Sequence, residues 1–270
     1  MTAVPDQFVV ELVRRLEEAG FENRLARGPL LPERGSAADR DCVEPLAVHA
    51  HQYPNGLLNG SYDHLLTLKA TVVDGRIIPT YAAMTLLRGA FEAVWMARWV
   101  LDDSDGDRII RGASLHYEDL RQRKNLETAL GAPDRRPGPT RSAADRLTEL
   151  RDEANNSDAF GERGVAVVKL PKYIQLARMY PTPPAAGVDE GPSEGEEWVY
   201  RLLSGYAHSR QWVAGLGSTE TATLPFDSVL VRSTVNHEWL LSLFDGVMKQ
   251  IDAATAALEE YVTAAPPFGQ

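Results

Sequence analysis

The sequence holds a single cysteine, Cys42, among 270 residues. That excludes an intrachain disulfide and fits a chain that folds in a reducing cytoplasm. Long apolar runs are also missing. Even the stretch from Ala82 to Leu101 is interrupted by Arg88, Glu92 and Arg98, so no window supplies the roughly 18 uninterrupted apolar residues of a membrane span. The first residues lack the basic start, apolar run and small-residue cleavage site of a secretory leader, and secretion is not expected. Positive charge is in deficit. Against 38 Asp and Glu stand 28 Lys and Arg, a net charge of −10, which disfavours generic nucleic-acid binding because phosphate contact wants a basic face. Metal-binding spacings are absent as well: neither Glu-x-x-His nor His-Glu-x-x-His occurs, and no glycine loop is built to cradle phosphate.

What is present is ordinary globular composition, 44% hydrophobic and 24% charged. At this length burial of roughly three-quarters of the unfolded surface needs no disulfide or metal staple. The charge is uneven. From Arg108 to Arg151 ten Arg or Lys face six Asp or Glu, a local +4, whereas Thr182 to Glu197 carries five acids and no base.

The periodicity predicts helices. Phe8, Val9, Leu12, Val13 and Leu16 form one apolar face after Pro5 and Asp6, with Gly20 as the stop. From Phe21 to Asn59 four prolines (Pro29, Pro32, Pro45 and Pro54) predict an ordered coil that docks through Leu30, Leu31, Val43, Leu46 and Val48. A helix is expected from about Tyr62 to Val73, ended at Asp74-Gly75. The next, from about Ile77 to Leu101, is apolar nearly all round and so reads as central. Further helices are expected over about 107–130, 142–156, 171–179, 193–214 and 227–262. Val165 to Leu170 is the one candidate strand, and Pro181 to Pro192 reads as a surface loop. The whole predicts an all-α, single-domain helical bundle of about seven helices. Residues 1–60 form a first helix and Pro-rich arm, 61–263 the bundle, and 264–270 a frayed tail.

The chemistry concentrates in the helix-shaped run from Trp198 to Trp212. At about 100° per residue, Arg201 and His208 fall within about 20° of each other, and Tyr200, Ser204 and His208 form an i, i+4, i+8 row. An imidazole moves protons near neutral pH and a guanidinium braces developing negative charge, so Arg201 and His208 are the candidate catalytic pair. In the central helix Arg88 and Glu92 are i, i+4 partners, with Trp95 and Trp99 on neighbouring turns. If the two helices pack together, Arg88, Glu92, Tyr200, Ser204, Trp95 and Arg111 become candidate ligand contacts in a polar pocket for a small anionic molecule. The plainer alternatives are a buried ion pair that sets helix register, a core histidine satisfied by a neighbour, and a non-catalytic helical interaction protein. His49-Ala-His51 places two imidazoles on one side of an extended segment, and Asp63-His64, His116-Tyr-Glu118 and His237-Glu238 add candidate ligands. None has a recognised spacing, and no metal or other cofactor is expected. Cys42 has no evident catalytic partner.

Arg201-Leu-Leu-Ser-Gly-Tyr-Ala-His208, an Arg followed by six residues and a His, resembles the motif of the HEPN superfamily of helical domains. The resemblance implies a cytoplasmic homodimer of the toxin or defence type in which two motifs meet and cut RNA without metal. His208 would move the proton of the 2′-hydroxyl and Arg201 would stabilise the phosphorane. Where that motif commonly has a polar residue after the Arg, this chain has Leu202. The stretch from Ile77 to Arg123, with Leu-Leu-Arg88-Gly-Ala-Phe-Glu92 and then Arg108 and Arg111, together with Tyr200 to His208, is also similar to uncharacterised helical proteins of actinobacteria. That likeness implies no function.

Overall fold

A computed structural model describes residues 2–3, 5–21, 23, 26, 28–102, 107–131, 141–182, 197–210, 218–224, 228–233 and 236–264. The expected turn at 103–106, the proline link at 132–140, residues 183–192 of the expected surface loop, the expected helix start at 193–196, residues 211–217 and the tail beyond 264 lie outside them. The fold is all-α. In chain order the helices are α1 (Asp6–Glu18), α2 (Ala37–Asp41), α3 (Val48–Lys69), α4 (Thr80–Leu101), α5 (Arg108–Leu130), α6 (Ala143–Asn155), α7 (Tyr173–Met179), α8 (Trp198–Ala207) and α9 (His237–Val262). A π-helical turn, Ala70–Asp74, continues α3, and a 3₁₀ run spans Asp158–Val167. Two short antiparallel pairs accompany them, β1 (Thr2–Ala3) with β2 (Ile77–Ile78), and β3 (Ser218–Leu224) with β4 (Ser228–Ser233).

Three local expectations are corrected. The first concerns the Pro-rich arm, where α3 starts at Val48 and runs through Pro54. An interior proline forfeits a backbone hydrogen bond. Here the turn is braced by Asn55, whose amide donates to the carbonyls of His51 and Leu30 while its Oδ1 accepts from the Leu30 N–H. Ala50, Leu58, Tyr62, Leu65 and Leu68 line a buried face along the whole helix, and that burial outweighs the local penalty. The second concerns Val165 to Leu170, which is no strand. Gly161 and Gly164, at φ 57° and 49°, break the 3₁₀ run, and Val165, Val167 and Val168 pack on the core instead. The third concerns the last helix, which begins at His237 rather than Asp227, because Ser218–Leu224 pairs antiparallel with Ser228–Ser233. Alternating Thr219, Thr221 and Thr223, followed by Val229-Leu-Val231, is the strand signal that the helical reading passed over.

The chain divides into two compact units: residues 1–28, 57–96 and 172–253 in the first, and 29–56, 97–171 and 254–270 in the second. In the first unit Met84, Leu87, Ala90, Phe91 and Val94 of α4 are fully buried, with Leu243, Phe244, Val247 and Ile251 of α9. At roughly 1.5–3 kcal/mol for each large apolar side chain removed from water, this burial is the main term that stabilises the unit. α9 comes close to α4 at Gly246, where a Cβ would lie 3.2 Å from Phe91. α3 is tied to α4 by Ser61, whose buried hydroxyl donates to the Ala90 carbonyl at 3.1 Å. The second unit packs Leu46, Ile110, Ala113 and Leu120 against Leu147, Leu150, Ala154 and Phe160. Its helix α6 starts with a capping box, Ser142 and Asp145 each accepting from the other's backbone N–H.

Candidate functional site

In the first unit α4 brings Arg88 to α8. Arg88 Nε donates to Glu92 Oε1 at 2.6 Å, and the two side chains are 18% and 19% exposed. Arg88 Nη1 lies 3.3 Å from Nε2 of His208, and its guanidinium carbon sits 5.7 Å from the Tyr200 ring centroid. A guanidinium only donates, so Nε2 accepts and the imidazole in this arrangement is neutral with its proton on Nδ1. Tyr173 of α7 belongs to the same group. Burial pushes its hydroxyl pKa up, the Glu92 carboxylate adds to the rise, and Arg88 opposes it.

Helix α8, expected to run to about residue 214, is corrected to end at Ala207 for a backbone reason, and this sets the position of His208. The Arg210 N–H bonds to the Gly205 carbonyl at 2.9 Å and the Ser209 N–H to that of Tyr206 at 3.0 Å. Ser209 takes a left-handed φ of 50°. This is the six-to-one and five-to-two pairing of a Schellman motif with serine in the place glycine usually fills. His208 is therefore the helix C-cap and is exposed.

Arg201 has a different partner. Its Nε donates to Glu197 Oε2 at 2.8 Å and its Nη2 lies 2.6 Å from the same oxygen. Arg178 of α7 binds the other oxygen, Oε1, through Nε and Nη2. Burial works to raise the Glu197 carboxyl, but the hydrogen bonds from both arginines outweigh it and hold the pKa below the usual range. The cation that touches His208 is thus Arg88, and Arg201 belongs to a second polar group. Ser204, half-buried, gives its backbone carbonyl to the His208 N–H. Trp95 is 1% exposed, with its ring centroid 5.1 Å from that of Phe91, and among the described residues its Nε1 has no hydrogen-bond partner. Arg111 is buried in the second unit, its Nη1 donating to the carbonyls of Trp99 (3.0 Å) and Asp102, and its guanidinium stands 5.7 Å from the Trp99 ring.

The histidines seen in the sequence fall differently from expectation. His49 and His51 lie on α3, where a two-residue step turns about 200°, so they do not share a side as they would in a strand. His49 instead stacks on His116 of α5, ring centroids 3.9 Å apart and planes 19° from parallel. Near-parallel stacked rings keep their nitrogen lone pairs in separate planes and cannot converge on one ion. Tyr53 bonds to His116 Nδ1 and to Asp119, both at 3.1 Å. Burial is the main cause that takes the His49 pKa down to about 3, with His116, Arg146 and His51 adding to it. Burial also lowers His116 and raises Tyr53. Among the described residues no group of three or more His, Cys, Asp or Glu is placed to hold a metal ion. Nor is any described helix long and apolar enough to cross a membrane.

The residues that sequence reasoning missed are Tyr173, Arg178 and Glu197. Only the i, i+4 spacing of Glu197 and Arg201 was visible beforehand; α7 is brought to α8 by tertiary packing. Gly191-Pro-Ser193-Glu-Gly195 has the spacing of a hydrolase nucleophile elbow, but the acid- and proline-rich residues before it do not read as the strand that motif needs. It lies outside the described residues. A separate cleft of about 430 Å³ is lined by Val13, Leu16, Phe21, Lys69 and Val73 among others, and contains none of the groups above. No protein-family model, no curated protein and no solved structure matches the chain.

Proposed function

We propose that Arg88, Glu92, Tyr173, Tyr200 and His208 form a solvent-open site that binds a small anionic metabolite and exchanges a proton with it through His208. The observation that carries this reading is the 3.3 Å approach of Arg88 Nη1 to His208 Nε2 beside the Arg88–Glu92 pair. Glu92 fixes the guanidinium by its Nε edge and leaves Nη1 for an oxyanion. An anion arriving there displaces Nε2 from Arg88, which places the imidazole next to the ligand in the neutral form that accepts a proton. Tyr200 supports the guanidinium by a cation–π contact. Exposed, unpaired Cys42 accords with a reducing cytoplasm.

The test is a binding screen of carboxylates and phosphates by thermal shift and calorimetry on wild type, Arg88→Gln and His208→Gln. A ligand that stabilises the wild type and loses at least tenfold in affinity on Arg88→Gln supports the reading. A flat response in wild type, or equal responses in wild type and Arg88→Gln, refutes it.

The second reading is HEPN-like, metal-independent RNA cleavage by a homodimer. It is favoured by the exposure of both Arg201, whose side chain is 64% exposed, and His208 on one helix. Incubation of labelled RNA in chelator with wild type, Arg201→Ala and His208→Ala decides it. Cleavage by none of the three, or equally by all, removes that reading.

A further inference from the structure

We propose that the ligand of the Arg88–His208 site carries a second anionic group, and that Arg178 and Arg201, clamped together by Glu197, receive it. The inference rests on the anion-binding reading given above and adds the shape and charge of the ligand.

Glu197 immediately precedes α8, and its side chain is 9% exposed. Its two oxygens are divided between the arginines, Oε1 to Arg178 and Oε2 to Arg201, and each guanidinium is gripped along its Nε–Nη2 edge. Among the described residues neither Nη1 is engaged, and the arginine side chains are 58% and 64% exposed. One arginine suffices to neutralise a buried carboxylate. Among the described residues of the cluster, the second leaves one positive charge without a carboxylate of its own, in a chain whose net charge is −10. Two guanidiniums held by one planar carboxylate have already lost much of their rotamer freedom, so an oxyanion bound by them pays less ordering entropy than one bound by free surface arginines. Their planar donor sets match phosphate better than a point charge does.

Both polar groups draw on α7 and α8, the first adding Arg88 and Glu92 from α4. Tyr173, at the start of α7, feels Glu92 and Arg88, and Arg178 stands five residues further on. On α8 Arg201 and His208 lie on one side, about 10 Å apart along the axis, and Arg201 reaches back a turn to Glu197, about 16 Å from His208. A ligand lying along α8 meets Arg88 and His208 at one end and the arginine clamp at the other. The chemistry that fits is an elongated metabolite with two oxyanionic groups, the one at the clamp a phosphate.

The experiment titrates the full chain calorimetrically with inorganic phosphate and with polymethylene bisphosphonates from the methylene to the dodecamethylene compound. Affinity is expected to pass through a maximum at a phosphorus separation of about 10–16 Å and to exceed that of inorganic phosphate by at least about tenfold there, because the second contact becomes intramolecular. Arg178→Gln and Arg201→Gln should each return the best compound to the level of inorganic phosphate. Arg201→Lys keeps the charge and the fold and should lose most of the gain, so it decides the matter if a glutamine variant is poorly folded. An affinity that shows no maximum with chain length, or one that all three variants leave unchanged, overturns the inference. If inorganic phosphate binds wild type but not Arg88→Gln while the series is flat, the Arg88 site stands and the clamp falls. If neither phosphate nor any bisphosphonate binds, the inference falls, and the Arg88 site stands or falls on the carboxylates of the screen above.

Discussion

Arg88 and His208, 120 residues apart in the chain, meet at 3.3 Å across two helices, with the imidazole accepting from the guanidinium. The contact makes His208 and an incoming anion competitors for the same Nη1 group. Glu92 competes as well, from the Nε side. Glu92→Gln is therefore expected to tighten anion binding about fivefold, equivalent to the roughly 1 kcal/mol of a partly exposed ion pair. Calorimetric titration with the best anion from the screen measures it. Weaker binding in Glu92→Gln would mean that the carboxylate itself contacts the ligand.

Ser209 is the residue after the α8 cap and holds a left-handed φ of 50°, a conformation that costs a side-chain-bearing residue roughly 1 kcal/mol relative to glycine. Ser209→Gly should stabilise the protein by about 0.5–1 kcal/mol in urea unfolding and leave anion affinity within twofold, since the glycine retains the Schellman bonds that place His208. A destabilised Ser209→Gly would show that the serine side chain has a role the backbone geometry does not require.

The stacked His49–His116 pair makes stability depend on acid. His49 titrates near 3 in the fold and near 6.5 when unfolded, so between those values the unfolded chain holds the extra proton. The stabilisation is complete above about pH 6.5 and is lost as pH falls towards 3. Between pH 7.5 and 5 the loss attributable to His49 is about 2 kcal/mol. His51, His116 and His237, also lowered by burial, shift stability in the same direction. Denaturant unfolding at the two pH values, with wild type and His49→Gln, checks this. The variant should lose about 2 kcal/mol less on acidification, and an identical loss in both would refute the assignment.

Two helix glycines separate backbone from side-chain crowding. A Cβ on Gly112 would stand 2.6 Å from the Ala50 nitrogen and 2.7 Å from the His49 carbonyl carbon, whereas the atoms nearest to one on Gly89 belong to the His64 ring, the first at 2.4 Å. Backbone cannot rotate away and an imidazole can. Gly112→Ala is expected to cost about 2–3 kcal/mol or more, and Gly89→Ala less than half as much. Chemical denaturation of the two variants side by side gives the comparison, and equal costs would contradict the argument.

Much of the helical fold was legible because amphipathic spacing is a local property. α1, α5, α6 and α7 follow their apolar stripes and capping residues to within two residues of expectation. The apolar girth of α4 correctly marked a helix whose Met84, Leu87, Ala90 and Phe91 are wholly buried. Pro54, the glycine-broken 3₁₀ run and the β3–β4 pair were misjudged. In α3 distant packing overrides a local penalty, and at Val165 an apolar run turned out to be core filling rather than a strand.

By itself the sequence determined the all-α class and the Arg88–Glu92 pair, since each depends only on a helical repeat of 3.6 residues. It also placed Arg201 and His208 on one side of a helix. Only the tertiary structure decided which cation faces the imidazole. It joined His208 to Arg88, brought Tyr173 beside Glu92, and drew Arg178 to Glu197. Contacts between helices depend on how apolar stripes interlock, and no spacing along a single helix carries that information.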